Sequence, residues 1–419
     1  MAAIAVTHLA CTICGAQYDP VPGRYTCDAC GEAGTLDVKY DYAKVAATLT
    51  TDSLAMDRDA TMFRYRALLP IDANATPPPL AVGGTPLYLT PRLAEIAGVG
   101  SMWIKDEGRE PTASMKDRAS AIAVMKAREE GAEVITTAST GNAAAALAGI
   151  AASVGQASVI FVPETAPEAK VAQLLAFGAT VVLVAGNYND AFELATAAVG
   201  RWGWYNRNTG VNPYVAEGKK TVALEIIEQL GFTAPDAIFV SVGDGSIIGG
   251  VHKGLKDAHA LGWIETMPRI FGIQAAGSDY MTRAYESGAD VATMPAISAA
   301  TAADSISADL PRDRVKALAA VTETGGAYLR VSDDHILRSI PRIAAASGVF
   351  AEPAASAAYA GVEAAVEEGL IGADDRVAVI STGSGLKDVP SVLAGVRATG
   401  AEPIRVPPSL GALETAMDR

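Results

Sequence analysis

The sequence predicts an α/β fold in which open, twisted, mostly parallel sheets are covered by helices, preceded by a small zinc-ribbon-like segment. Three observations predict it. From about residue 85, short β-rich runs alternate with Ala-rich stretches of helical length. Those runs carry apolar residues at consecutive positions, the pattern of strands buried on both faces. All four cysteines, Cys11, Cys14, Cys27 and Cys30, fall in one C-x2-C-x12-C-x2-C array at the start of the chain.

Composition narrows the function classes before any motif is considered. The 419 residues are 50% hydrophobic and 19% charged, which suits two or three domains with ample core and argues against disorder. Acidic residues outnumber basic ones 47 to 33, for a net charge of −14, so a protein that tracks nucleic-acid phosphates is not expected. No apolar run approaches the ~18–20 residues of a membrane span. The start, MAAIAVTHLACTIC, lacks a basic region ahead of its apolar stretch, so no secretory leader is expected and the location is read as cytoplasmic.

Residues 1–40 read as the ribbon. Cys14-Gly15 and Cys30-Gly31 allow tight turns that bring amides toward the thiolates, and two such knuckles give the tetrahedral sulfur set that Zn2+ prefers. Two disulfides or an iron site are the other readings of this spacing. A full sulfur set has no open position for chemistry, so the expected Zn2+ is structural, and His8 is read as a surface residue. Residues 41–84 read as a helical connection with charged, helically spaced residues to about 75. It ends in the proline-rich IDANATPPPLAVGGTP. Residues 85–419 form the α/β body. The small, polar segment 290–312 is expected to be a loop bordering a site.

Four strand-end segments carry candidate chemistry. In PTASMKDR, Lys116 falls in the first turn of a predicted helix. There the positive end of the helix dipole disfavours a cation and lowers the amine's pKa, as a Schiff-base lysine requires. Taken alone, such a lysine is more often a surface residue. Ser139-Thr140-Gly141-Asn142 follows a strand and opens a helix, which makes either a carboxylate cradle or an ordinary N-cap. Gly243-Asp244-Gly245-Ser246 lies in a Gly-rich strand-to-helix turn that can present amides to phosphate. It is neither a Walker A loop nor a dinucleotide fingerprint. Thr382 ends the strand VAVIST. In open α/β sheets ligands collect at the carboxyl ends of strands, so all four segments should converge on one crevice.

The order of motifs resembles the tryptophan-synthase-β superfamily of pyridoxal-phosphate enzymes (fold type II), and within it the threonine synthases. It runs from the cysteine array through GGTPLY, PTASMKDR, STGN, NPYVAEGKKT and VGDGS to TGSGLKD. The resemblance spans the chain to roughly residue 395 and implies that the body divides into two lobes, the smaller (about 110–210) inserted in the larger. It implies pyridoxal 5'-phosphate as cofactor, bonded to Lys116, with Asn142 on its ring hydroxyl and Gly243, Asp244, Gly245 and Ser246 around its phosphate. Thr382 would face the pyridine nitrogen. A neutral hydroxyl there restrains the electron sink and favours elimination and replacement over transamination. Ser139 and Thr140 would hold the substrate's α-carboxylate. The implied reaction takes O-phospho-L-homoserine and water to L-threonine and phosphate, a lyase in threonine biosynthesis. A homodimer, a small amino-acid substrate and no nucleic-acid or membrane partner are implied with it, and no allosteric activation by a methyl-donor metabolite is expected.

Several residues depart from the family's pattern. Glu110, Ala113 and Met115 replace an Asn, a Gly and a Phe, Ala143 a hydroxyl residue, and Ser384 a histidine. Asp244 stands where asparagine is commoner. Val215 stands where relatives place an arginine that grips substrate phosphate. Asn208, Thr209, Lys387, Arg207, Lys219 and Lys220 are the substitutes the sequence offers, without choosing among them. The alternatives kept open are a paralogue acting by β-replacement on O-phosphoserine, a serine/threonine ammonia-lyase, or an inert protein on the same fold. With a net charge of −14, any attraction for an anionic substrate has to be local.

Overall fold

In the computed structural model, which describes residues 5–417, three sheets organise the chain. The first is antiparallel, in the order Gln17–Tyr18, Val6–Cys11, Gly31–Tyr40, Thr26–Cys27. Its strands end at the cysteines, and all four sulfurs lie within 4.8 Å of one another. Gly15 and Gly31 turn the chain at φ 74° and 61°, a region that glycine enters without steric cost. Leu9, Leu36 and Val38 are buried in the same core as the body, so this segment is packed in rather than appended.

Residues 41–75 were expected to be helical on spacing alone. The structure divides them into Tyr42–Ala46, Thr51–Met56 and a 3-10 turn, Met62–Leu68. The cause is local. Asp41, Thr50 and Thr61 each accept a backbone N–H and start a new helix, so side-chain capping outcompetes one continuous ladder.

The largest sheet runs Tyr328–Val331, Arg269–Ala275, Ala237–Ser241, Arg376–Ser381, Ser101–Asp106, Leu87–Leu89. All its pairs are parallel except the last. A second, wholly parallel sheet runs Tyr205–Asn206, Val134–Ala138, Ala157–Pro163, Thr180–Val184. Its strands fall in sequence between Ser101–Asp106 and Ala237–Ser241 of the larger sheet. Consecutive apolar residues such as Ala237 to Ser241 are buried at every position because helices cover both faces.

Parallel register brings the carboxyl ends together. Asp106 pairs with Ser381, and Phe239 with Val379 on the neighbouring strand. The segments that follow these ends border one cavity of about 670 Å3. Residues 290–312 hold only the 3-10 turn Asp304–Ile306 and lie along the same cavity. No helix of the described residues is long and apolar enough to cross a membrane.

Candidate active site

Lys116 is the first residue of the helix Lys116–Glu129 and lines the cavity. The preceding turn is held from two sides. Thr112 donates its N–H and its hydroxyl to the Asp117 carboxylate at 2.6 and 2.5 Å. Met115 N–H donates to the Thr382 carbonyl at 3.0 Å, beside a bridge between Ser114 and Gly383. The lysine turn and the Thr382 strand end are therefore one unit. Ala113 reaches this geometry at φ 64°, a left-handed conformation that an L side chain rarely adopts. Burial holds the Lys116 amine below the usual lysine range, with the Glu352 carboxylate pulling it partly back.

Ser139, Thr140, Gly141 and Asn142 line the cavity opposite. The helix Asn142–Ser153 is capped by Gly141 without a side-chain bond, so the hydroxyls are not used as ordinary caps. Ser139 instead accepts the Gly141 N–H at 3.2 Å, which shapes the turn. The Asn142 amide nitrogen donates to both oxygens of Glu352, at 2.9 and 3.0 Å.

Gly243, Asp244, Gly245 and Ser246 form the third wall. Gly245 sits at φ 86° ahead of the helix Ser246–Ala260. None of the four amides donates to a carbonyl elsewhere in the chain, which leaves them for an anion. The Asp244 carboxylate, unexpected in such a loop, accepts Arg312 N–H at 2.8 Å and so pins the end of the 290–312 loop. Burial, then the neighbouring Asp313, pushes its pKa up to about 7.

The cations offered by the sequence are separated by the fold. Lys219 lines the cavity, fully buried, and its Nζ donates to Ser246 Oγ at 2.6 Å. Arg207, also fully buried, lines it too, with Asn208 and Thr209. Asn208 accepts from the Thr137 hydroxyl and the Ala138 N–H at 2.8 and 2.9 Å, fixing this segment to the neighbouring strand end. Lys220 points elsewhere and pairs with Glu217 and Asp257 at 2.5 and 2.7 Å. Lys387 is not among the residues that line the cavity, and Val215 is buried in the apolar core.

Sequence reasoning missed Glu352 and Tyr188. Glu352 is buried at the start of the helix Pro353–Glu367, and its N–H donates to the Gly383 carbonyl at 3.0 Å. A carboxylate immediately before a helix-opening proline was the available signal. Tyr188 lines the cavity from a helix whose start gave no chemical cue.

The donor set fits a phosphorylated aldehyde cofactor. Among the described residues, Lys116, Arg207 and Lys219 make no salt bridge, four loop amides are free, and a primary amine faces the same space. Buried cations without a carboxylate partner are stable only if an anion joins them.

Comparison with known proteins agrees with that chemistry. The family described as pyridoxal-phosphate dependent enzyme matches residues 79–383. Threonine synthase of Methanosarcina acetivorans is 38% identical over 387 residues, covering 92% of this chain and 93% of the relative. That of Methanocaldococcus jannaschii is 36% identical over 398 residues, covering 94% and 96%. Among solved structures, the processed form of threonine deaminase isoform 2 from Solanum lycopersicum superposes with a TM-score of 0.64 at 25% identity, covering 76% of this chain and 88% of that one. Diaminopropionate ammonia lyase from Escherichia coli gives 0.64 at 19% identity, covering 83% and 94%, a likeness of fold. The chain belongs to the pyridoxal-phosphate dependent enzymes and, within them, to the threonine synthase family.

Proposed function

We propose that this chain converts O-phospho-L-homoserine and water to L-threonine and phosphate, with pyridoxal 5'-phosphate held in the cavity by Lys116. The carrying observation is that a depressed-pKa lysine, a carboxylate cradle and a buried cluster of unpaired cations share one enclosed space. When bound, the cofactor supplies an electron sink for negative charge developing at the substrate's α-carbon.

The chain's residues do the rest. Lys116, its amine lowered by burial, takes the α-proton and then a β-proton; phosphate leaves Cγ, and protons return to Cγ and, once water has added at Cβ, to Cα. Ser139, Thr140 and the adjoining amides hold the α-carboxylate and orient the Cα–H bond toward that amine. Asn142, its amide nitrogen fixed by Glu352, keeps its carbonyl oxygen for the cofactor's ring hydroxyl. Gly243, Asp244, Gly245 and Ser246 hold the cofactor phosphate, and Lys219 adds a positive charge beside Ser246. Thr382 meets the pyridine nitrogen with a hydroxyl. Asn208 and Thr209 shape the substrate side, and Lys387 acts at most through its field.

The reading includes a structural Zn2+ in the Cys11, Cys14, Cys27 and Cys30 cluster, supported by four unpaired cysteines with converging sulfurs. It also includes a homodimer, as the resemblance implies, and a cytoplasmic location, supported by cysteines that form no disulfide. The deciding assay follows phosphate and threonine together from O-phosphohomoserine, with one-to-one release expected. Phosphate release from O-phosphoserine alone would select the β-replacement paralogue instead.

A further inference from the structure

Of the four cations that line the cavity without an ion pair among the described residues, the half-buried Arg312 lies over the Phe192 ring at 3.8 Å, and the proposed function gives two others a duty. Lys116 takes the cofactor, and Lys219 is held 2.6 Å from Ser246 in the phosphate loop. Arg207 has none, yet it is the most constrained. Its Nε donates to Ser120 Oγ at 3.2 Å and its Nη1 to Thr209 Oγ1 at 2.9 Å. Its Nη2 is buried and has no partner. No carboxylate lies within ion-pair distance among the described residues, and its exposure is 0%. Chains rarely bury a guanidinium in this way unless an anion completes it.

The anchors fix where that anion sits. Ser120 is one turn beyond Lys116 on the same helix, so the guanidinium is tied to the element that carries the reactive amine. Thr209 follows Asn208, which is pinned to the strand end leading into Ser139. Arg207 thus lines the cavity between the lysine helix and the Ser139 turn, with its unpartnered Nη2 closed over by protein atoms.

Resting on the reading above, we propose that Arg207, steadied by Thr209, grips the side-chain phosphate of the substrate and selects an amino acid that carries a phosphate monoester over one with a neutral leaving group. A planar fork suits two phosphate oxygens at once, and a buried position strengthens the contact. The two phosphates of the reaction are thereby separated, one on Lys219 and the glycine loop, the other on Arg207.

The test uses holoenzyme. Arg207→Gln should lower kcat/KM for O-phosphohomoserine by roughly 100-fold, mostly through KM, as for loss of a buried charged hydrogen-bonding group. Its cofactor absorbance, and its exchange of the α-proton of phosphate-free L-2-aminobutyrate in D2O, should stay as in the parent. Unchanged kcat/KM overturns the inference, and so does an equal loss of α-proton exchange, which would mark a merely structural role. Should Arg207→Gln fail to fold, Arg207→Lys and Thr209→Val decide, each with a loss of roughly tenfold expected and no loss in either overturning it. If the parent makes no threonine from O-phosphohomoserine, the functional reading fails separately. Calorimetry with inorganic phosphate then decides, because affinity weakened roughly tenfold or more in Arg207→Gln supports the anion site and equal affinity overturns it.

Discussion

Two groups of buried charge are carried on opposite sides of one helix, two residues apart, and they differ in how they are closed. Arg118 bonds Glu107 at 2.6 Å, Glu225 at 2.6 Å and Glu110 at 3.1 Å, while Lys105 bonds Glu225 at 2.6 Å. Burial holds Glu110 well above the usual carboxylate range, with Arg118 pulling it partly back. Around Lys116, Arg207 and Lys219 no such closure exists among the described residues. The first group is finished by the chain itself and fixes the helix against the strand Ser101–Asp106 and the helix Thr221–Gln229. In the proposed reading the second is finished by ligands. Buried charge marks a binding site here where the chain leaves it unbalanced, not where charge is most abundant.

The largest effect expected from that contrast is at the reactive amine. Lys116→Ala should abolish turnover and the visible absorbance of bound cofactor together, and a variant that keeps an unaltered visible band removes Lys116 from its assigned role. Next come two substitutions that should move stability in opposite directions. Arg118→Met leaves Glu107 without its cation and Glu225 with Lys105 alone, and should cost about 3–5 kcal/mol, read by urea unfolding of the cofactor-free protein. Lys219→Met removes a buried cation that has no carboxylate and should raise the stability of the cofactor-free protein by about 1–2 kcal/mol, while weakening its affinity for cofactor. Shifts of the same sign in both variants would break the contrast.

That contrast also explains what was legible in the sequence. Lys116, Ser139 to Asn142, Gly243 to Ser246 and Thr382 sit at strand ends followed by breaker residues, and parallel strands put such ends on one side, so their meeting follows from topology. The cysteine array was readable because its spacing alone brings sulfurs together. Partners drawn from distant elements were not readable. Glu352 meets Asn142 across 210 positions of chain, and Arg118 meets Glu225 across 107. Nothing in a linear pattern distinguishes Arg207 from Lys220, yet one is left unpaired at the cavity and the other is neutralised by Glu217 and Asp257. The connection at 41–75 was read as more continuous than it is because spacing counts apolar positions but does not weigh capping hydroxyls and carboxylates.

A smaller effect follows from Asp244, the carboxylate of the glycine-rich loop. Its folded-state pKa is raised to about 7, above the ~3.9 of an unfolded aspartate. The folded protein therefore binds the extra proton, and the stability this contributes is present below about pH 4 and lost as pH rises through about 7. Thermal unfolding of the cofactor-free protein should thus shift downward between pH 5 and pH 8. Asp244→Asn, which keeps an oxygen for Arg312 N–H, should flatten that dependence. In the parent, cofactor binding should tighten as pH falls through 7, because the loop then presents a neutral acid to the phosphate.

The smallest effect tests whether the ligand side of the helix also carries backbone strain. Ala113 stands at φ 64° in the turn before Lys116, donating its N–H to Glu110 and accepting Ser384 N–H at 3.1 Å. A left-handed alanine costs roughly 1–2 kcal/mol, and glycine removes that cost but adds about 0.5–1 kcal/mol of unfolded-state entropy. Ala113→Gly should therefore stabilise the protein by about 0.5–1 kcal/mol, seen as a small rise in the urea midpoint with unchanged slope. Because the turn stays tied through Met115 to Thr382, cofactor absorbance should not move. A destabilised variant would mean that the Ala113 methyl group is packed well enough to offset its conformation, and strain would then be absent from the side of the helix that the chain leaves for its ligands to complete.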